Sequence, residues 1–437
     1  MSHRFARAAA AATVATALVA MAGCSSGSTT PTAAVSTDAP VTITWWTGQN
    51  DAAEKLLESL AAEFSKAHPN VTIKVSSGAS STEELLQKLS AGFASGTYPN
   101  VSYAFGSWAS ELESSGKMQD ITAKVADPAV KWGEFSAAAR ATVQPTGKAT
   151  IGFPALVDNI SLLYNKTVFD AAGVAYPTDQ WTWDDFRAAA KRLTNTATQT
   201  YGYAYSVSGS EETTWQFWPH LWQNGGKILA DDHKTAAFAS TEGTNALEFL
   251  RAMAQDDKSV YLDQTDTKFA QLFAADRIGM ITSGPWQLTD LQTAKTKYGV
   301  TILPGTNGDH QTVSGPDIWA LTQTGNANAD YWSYELLKWL TEPAQDVRWN
   351  VAYGNLPLRT SELDSPEFKA QVKALPGLDV MAANSANAKQ ARPTVTGYVG
   401  LSEAIGSSIS QVLQGKGTPA DALKQAASKA DAALAEG

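Results

Sequence analysis

The sequence predicts an α/β fold divided over two lobes. Strand and helix patterns alternate from residue 41 to residue 106, and a second α/β region begins near residue 151. The body, roughly 400 residues long, is also larger than one hydrophobic core usually serves.

In chain order, "VTITWW" (41–46) is a β-branched run that reads as the first strand. In "TGQNDAAEKLLESLAAEFSKAH", Leu56, Leu57, Leu60 and Phe64 fall on one helical face. "HPNVTIKV" reads as a second strand. Ser81 and Glu84 in the next segment have the S-x-x-E spacing of a capping box ahead of a helix. "YPNVSYAFGS" is the third strand. Strand–helix alternation with short connections implies right-handed βαβ units and a parallel sheet. Ligands of such sheets sit beyond the strands' carboxyl ends, here Trp46 to Gln49, Ser76 to Ser81 and Gly106 to Trp108.

The second region opens with "IGFPALVDNISLLYNKTVFDAAGV". A helix follows in "WTWDDFRAAAKRLT", where Thr182 is placed to cap ahead of Asp184 and Asp185. "YGYAYSVSG" reads as a strand, and "WQFWPHLWQNGGKIL" as a helix broken by Gly225 and Gly226. "RIGMITSGPW" is a strand entering a Gly-Pro turn. From Tyr331 onward the pattern is mostly helical, ending in an Ala-rich helix from Pro419. No internal repeat is evident.

Ahead of the body, Arg4 and Arg7 precede an uncharged stretch from Ala8 to Ala22 and then Cys24, the one cysteine. A positive start, a short apolar core and small residues describe an export signal. The stretch is too short and too rich in alanine for a membrane span, which needs about 20 apolar residues. "VAMAGC" resembles the lipobox of bacterial lipoproteins, with Met21 where leucine is usual. The resemblance implies that Cys24 is lipidated and becomes the mature N-terminus. A stray thiol would be a reactive liability in an exported chain. Residues 1–23 are then a signal peptide, and 24–40, rich in Ser, Thr, Pro and Ala, a flexible tether. With no second cysteine, the fold must rest on its core. The net charge of −10 falls to about −12 once Arg4 and Arg7 leave, which argues against nucleic acid as a partner.

Several stretches together resemble the solute-binding proteins of bacterial ABC importers, in the class that takes maltose-like sugars and glycerol-phosphate compounds. They are "ALVDNISLLYNKTVFDAAGV" with "PTDQWTWDDFRAAAKRLT", "FAADRIGMITSGPWQL", "SGPDIWAL", "YWSYELLKWLTEPAQDVRWNVAYGNLPLR" and "ARPTVTGYVGLSEAIGSSISQVLQGKGTPADALKQAASKADAAL". The likeness covers nearly all of 41–437, and its specificity lies in the order and spacing of the stretches. It implies a two-lobed periplasmic-binding-protein-like fold, each lobe a mixed sheet flanked by helices, with ligand held in the cleft. The hinge would be crossed three times, near Pro154–Asp158, Ile281–Ser283 and Ser314–Ile318. Lobe 1 is then expected over 41–155 plus 282–315, and lobe 2 over 156–281 plus 316–437. The implied partners are a sugar-like solute, an ABC permease with a separate ATPase, and the membrane through the lipid. The chain itself has no G-x-x-x-x-G-K-[ST]. A monomer without metal or cofactor is expected.

The sequence holds 14 tryptophans and 13 tyrosines. Their broad apolar faces with a polar rim suit the C–H faces of a sugar ring. Core packing explains most of them, including Trp181, Trp183, Trp332 and Trp339. Those at strand ends, helix starts or loops facing the expected cleft are the candidates: Trp46, Trp108, Trp215, Trp218, Trp286, and Tyr353 with Gly354. Candidate hydroxyl readers are Asp158 and Asn159 at the first crossing, with Gln49, Ser107 and Asp317. Arg392 could fork onto a phosphate or carboxylate, whereas Arg359 reads better as a salt-bridged surface residue. The backbone N–H groups of Gly106 and Gly284 could hold an anion.

The expected function is capture of a mono- or oligosaccharide for import, with a glycerol phosphate or glycerophosphodiester as the alternative ligand. A lipid-anchored glycosidase is the rival function. Against enzymes, there is no G-x-S-x-G, no H-E-x-x-H, and the five histidines lack ligand spacing. Paired carboxylates for glycoside hydrolysis are not singled out by any motif.

Overall fold

The computed structural model describes residues 35–49, 51–79, 82–351 and 354–436. Cys24, Ser81 and Tyr353 lie outside the described residues. Among those described, the strands in chain order are β1 (Val41–Trp46), β2 (Val71–Ser76), β3 (Val101–Ala104), β4 (Gly152–Leu156), β5 (Ser161–Asn165), β6 (Tyr201–Ser206), β7 (Val260–Asp263), β8 (Ile278–Ser283), β9 (Tyr298–Thr301) and β10 (Asp317–Leu321). They form two mixed five-stranded sheets, ordered β2-β1-β3-β10-β4 and β7-β6-β8-β5-β9. Helices flank both.

In the first sheet β1 pairs in parallel with β2 and β3, the arrangement that short βαβ units produce. β10 runs antiparallel between β3 and β4. Strand pleating sends Val41, Ile43 and Trp45 into the core and their alternate neighbours to the more open face. Trp45 meets Trp319 of β10 edge-on, with ring centres 5.2 Å apart. The helix Asp51–Ala67 lays Leu57, Leu60 and Phe64 on this core at helical spacing. Ala327–Leu340 adds Trp332, Leu336 and Leu337. Each such side chain contributes about 1.5–3 kcal/mol when fully buried.

The second sheet has a core on each face, and pleating divides its residues between them. Leu162, Tyr203, Tyr205 and Met280 face the helices Trp183–Leu193, Glu211–Gln223 and Tyr398–Leu413. Leu163, Ala204 and Ile281 face the helices Lys268–Ala274, Trp286–Thr293 and Leu378–Asn384. Thr182 caps the first of these helices as its spacing predicts. The Asp185 N–H donates to Thr182 Oγ1 at 3.2 Å, and the Thr182 N–H donates to Asp185 Oδ2 at 3.0 Å.

Two expectations about lobe boundaries require correction. Ile281–Ser283 is not a crossing but the end of β8, held between β6 and β5 in the second sheet. The next helix buries Leu288 and Leu291 in the second sheet's core, and β9 pairs with β5, so 282–315 stays with the second lobe. β10 and the helix Ala327–Leu340 belong to the first sheet's core, which moves residues 317–349 to the first lobe. The chain passes between sheets at 157–160 and at 314–316. There Asn159 and Ser314 form an antiparallel bridge, and Ser314 Oγ donates to the Asp158 carbonyl at 2.6 Å. A further passage follows Trp349, which lies in the first core, to Val351 and Leu356 in the second. The Leu356 N–H donates to the Val157 carbonyl at 3.0 Å, tying this passage to the first. Periodicity identifies 278–283 as a strand but not its sheet, because pairing is a long-range choice.

Part of the expected tether is fastened down. The Ser36 N–H donates to Asn328 Oδ1 at 2.8 Å, and Asn70 Nδ2 donates to the Thr37 and Ala39 carbonyls at 2.7 and 3.3 Å. Residues 36–39 therefore belong to the first lobe. Among the described residues no helix is long and apolar enough to cross a membrane.

Beside the last passage, Asp346, Arg359 and Glu362 are buried together. Arg359 is a buried structural residue rather than a surface one. It donates to the Thr341, Val130 and Lys131 carbonyls and covers the Phe135 ring at 4.1 Å. Burial, then the neighbouring Asp346 charge, pushes the Glu362 carboxyl up to about 10 from its ordinary 4.5. The folded chain thus keeps a proton that the unfolded chain releases above pH 4.5. This group makes stability fall as pH rises from 4.5 toward 10. Glu362→Gln, which stays neutral throughout, is expected to raise the urea midpoint more at pH 8 than at pH 5. Equal effects at both pH values would refute a protonated Glu362.

Candidate functional site

A cavity of about 490 Å³ lies where the two lobes meet, within the roughly 300–1,000 Å³ usual for small-molecule sites. The first lobe contributes Gly48 and Gln49 beyond β1, Tyr103 and Phe105 at the end of β3, Leu156 ending β4, Asp317 opening β10, and Trp349. All but Trp349, which ends the helix Pro343–Trp349, lie at strand ends on one edge of the sheet, where open α/β sheets place their ligands. The second lobe contributes Glu211, Glu212 and Trp215 from the first turns of Glu211–Gln223, Trp286 and Asp290 from Trp286–Thr293, and Arg392. Asp158 and Asn355 enter from the passages between sheets.

A buried polar chain crosses the junction. Trp218 Nε1 donates to Tyr398 Oη at 3.2 Å, and Tyr398 Oη donates to Glu211 Oε1 at 3.0 Å. Ser402 Oγ donates to the other Glu211 oxygen at 2.5 Å. Arg392 Nη1 donates to Glu211 Oε1 at 2.7 Å, and its Nη2 lies 3.9 Å from Asp317 Oδ1. Asp317 in turn accepts from Tyr103 Oη at 2.5 Å and from the Gly106 N–H at 3.1 Å. The Arg392 guanidinium also lies over the Trp215 ring at 4.2 Å. Both of these pairings suit the planar fork of arginine.

Burial dominates the acid–base state of these groups. It raises Asp317 to about 6 from its ordinary 3.8 against the opposing pull of Arg392. Burial and then the Asp317 charge hold Asp158 well above the carboxylate range. Burial disfavours charge on Arg392 too, but Glu211 and the other neighbours outweigh it, so the guanidinium stays charged.

The structure places Gln49, Asp158, Trp215, Trp286, Asp317 and Arg392 on the cavity wall. Eight other candidates lie elsewhere. Trp46 alternates with Trp45 and so faces away, with Lys88 Nζ 4.5 Å over its ring. Trp108 is packed in the first core against Phe105, leaving Phe105 to line the cavity. Ser107 is buried in the same short turn. Trp218 is fully buried in the second core and acts on Glu211 through Tyr398. Asn159 is turned into the second lobe, donating to the Met381 carbonyl at 2.9 Å and Ser385 Oγ at 3.1 Å. Neither glycine is among the residues that line the cavity. Gly106 already donates to Asp317, and Gly284 lies under the Trp286 ring, which an added Cβ would meet at 1.9 Å. Gly354, with φ of +85°, sits against the Pro285 carbonyl behind Asn355.

Glycine at 106 is a packing requirement. A Cβ there would stand 2.1 Å from the Pro316 carbonyl oxygen and 2.3 Å from Thr142 Cγ2. Gly106→Ala is expected to cost about 1–3 kcal/mol of stability by overpacking, read by urea denaturation. An unchanged midpoint would contradict this contact.

Tyr103, Phe105, Glu211, Glu212, Asp290, Trp349 and Asn355 line the cavity without having been singled out by sequence. Asp290 had a usable signal, since it lies one turn beyond Trp286 on the same helix face. Glu211 and Glu212 look like ordinary first-turn acids in sequence.

A family profile described as bacterial extracellular solute-binding protein matches residues 59–376. The sn-glycerol-3-phosphate-binding periplasmic protein UgpB of Salmonella typhimurium is 23% identical over 421 residues, covering 91% of this chain and 93% of that protein. An ABC transporter solute-binding protein of Thermotoga lettingae bound with α-D-tagatose superposes with a TM-score of 0.79 at 25% identity, covering 90% of this chain and 99% of its own. An ABC substrate-binding protein of Listeria monocytogenes in complex with cycloalternan gives 0.80 at 22% identity, covering 91% and 99%.

Proposed function

The chain belongs to the bacterial extracellular solute-binding protein family, and on that premise we propose that it is the receptor component of an ABC importer. It captures a small polyhydroxylated solute, a mono- or oligosaccharide, between its lobes and hands it to a membrane permease driven by a separate ATPase. The observation that carries this reading is the cavity walled by both lobes, with aromatic faces beside hydrogen-bonding carboxylates. Aromatics accept the C–H faces of a sugar ring, and carboxylates accept pairs of hydroxyls. A ligand that touches both walls favours the closed arrangement by its differential affinity.

The proposed ligand-contacting set is Gln49, Asp158, Trp215, Trp286, Asp317 and Arg392, joined by Tyr103, Glu212, Asp290 and Asn355. Cys24 is the proposed lipid attachment site after removal of residues 1–23, with a tether ending near residue 34 and a monomeric body. The similar proteins are named as binding proteins, which favours the receptor over the glycosidase. Calorimetric titration with mono-, di- and trisaccharides and with glycerol phosphates, followed by product analysis, tests the reading. Saturable one-to-one binding with the sugar recovered intact supports it. Sugar cleavage, or absence of binding throughout, overturns it.

A further inference from the structure

The charge on the cavity wall is lopsided. Asp158, Glu211, Glu212, Asp290 and Asp317 line it, and the only cation among its lining residues is Arg392. That guanidinium is already committed, with Nη1 2.7 Å from Glu211 and its plane against Trp215. An anionic ligand would have to displace Glu211 from Arg392 and then face that freed carboxylate together with Asp290, with Asp158 held protonated by its burial. Phosphate is therefore a poor guest here.

Two carboxyl groups are open. Asp158 is more than nine-tenths buried, yet its only side-chain hydrogen bond is the one its Oδ1 accepts from the Gly315 N–H at 3.2 Å. Its other oxygen has no partner among the described residues. Asp290 lies on the cavity wall as an exposed residue, and its carboxylate has no hydrogen-bond or ionic partner among the described residues. It stands one turn beyond Trp286, so an aromatic face and an unpaired carboxylate share one side of the helix. A protonated amine on a sugar-like ring matches both, since the ring stacks on the indole and the ammonium donates to the carboxylate.

We propose that this receptor prefers polyhydroxylated solutes carrying a protonated amine, such as amino sugars, with Asp290 beside Trp286 as the ammonium-recognising pair. This rests on the proposed function and specifies its substrate class. Specificity would come from both attraction to the cation and repulsion of anions.

The test is calorimetric titration of the protein with matched pairs: glucosamine, galactosamine and mannosamine against glucose, galactose and mannose, and the β-1,4 glucosamine disaccharide against the glucose disaccharide. Glucose 6-phosphate is the anionic probe. At least one amine is expected to bind tenfold or more tighter than its hydroxyl counterpart, with the ratio shrinking as salt is raised. Asp290→Asn, or Asp290→Ser should that variant not fold, is expected to cut the amine-to-hydroxyl ratio at least fivefold. Neutral sugars binding as well as their amines, or tighter binding of the phosphate, would overturn the amine preference while leaving the receptor reading in place. A ratio unchanged in the variant would overturn the assignment to Asp290 beside Trp286. Failure of every pair to bind would overturn both readings.

Discussion

Trp286→Ala is expected to weaken ligand binding more than tenfold while the protein stays folded. The indole opens its helix on the cavity wall, half-buried, with Gly284 beneath the ring. Truncation removes a large stacking surface, and loss of an anchoring tryptophan commonly costs about 2 kcal/mol or more. A factor of ten needs only about 1.4 kcal/mol. The residue packs at the edge of the second core rather than inside it. The loss therefore falls mainly on binding. Calorimetry with the tightest ligand, alongside a urea curve, separates the two effects. Unchanged affinity would remove Trp286 from the site.

The second large effect is on stability. Arg392→Met would leave Glu211, whose side chain is only 13% exposed, without its ionic partner and Asp317 without its nearest cation. Breaking one side of a buried pair typically costs about 3–5 kcal/mol, because the remaining charge stays desolvated. Arg392→Met alone is therefore expected to lower unfolding free energy by about that amount. The double variant Arg392→Met with Glu211→Gln should recover much of the loss, since no unpaired charge remains at that pair. A single variant as stable as the parent would show that the pair is not desolvated as the structure has it. Both variants should bind ligand poorly, which separates their stabilities from their shared loss of function.

How much of this was legible in sequence depends on the range of the interaction concerned. The helical face of Leu57, Leu60 and Phe64 and the cap at Thr182 are local patterns, and each forms as its spacing implies. The strand ends that reach the cavity followed from the general rule for open sheets, which drew attention to Gln49. The sheet to which 278–283 belongs depends on β5 and β6, residues far away in sequence, and its periodicity carries no such information. The same limit applies to Trp46, Trp108 and Trp218. Composition marks them as candidates, but pleating and core packing decide where each ring points. Glu211 looked like a helix-start acid until Arg392, 181 residues later, proved to be its partner.

The central claim is that two lobes, joined by adjacent passages of chain, close on a polar solute at the cavity between them. Small-angle scattering of the protein, recorded with and without a saturating ligand first identified by calorimetry, tests it most directly. The account predicts a smaller radius of gyration with ligand, and no such change for Trp286→Ala at the same ligand concentration. Superimposable curves for the free and fully bound protein would contradict it.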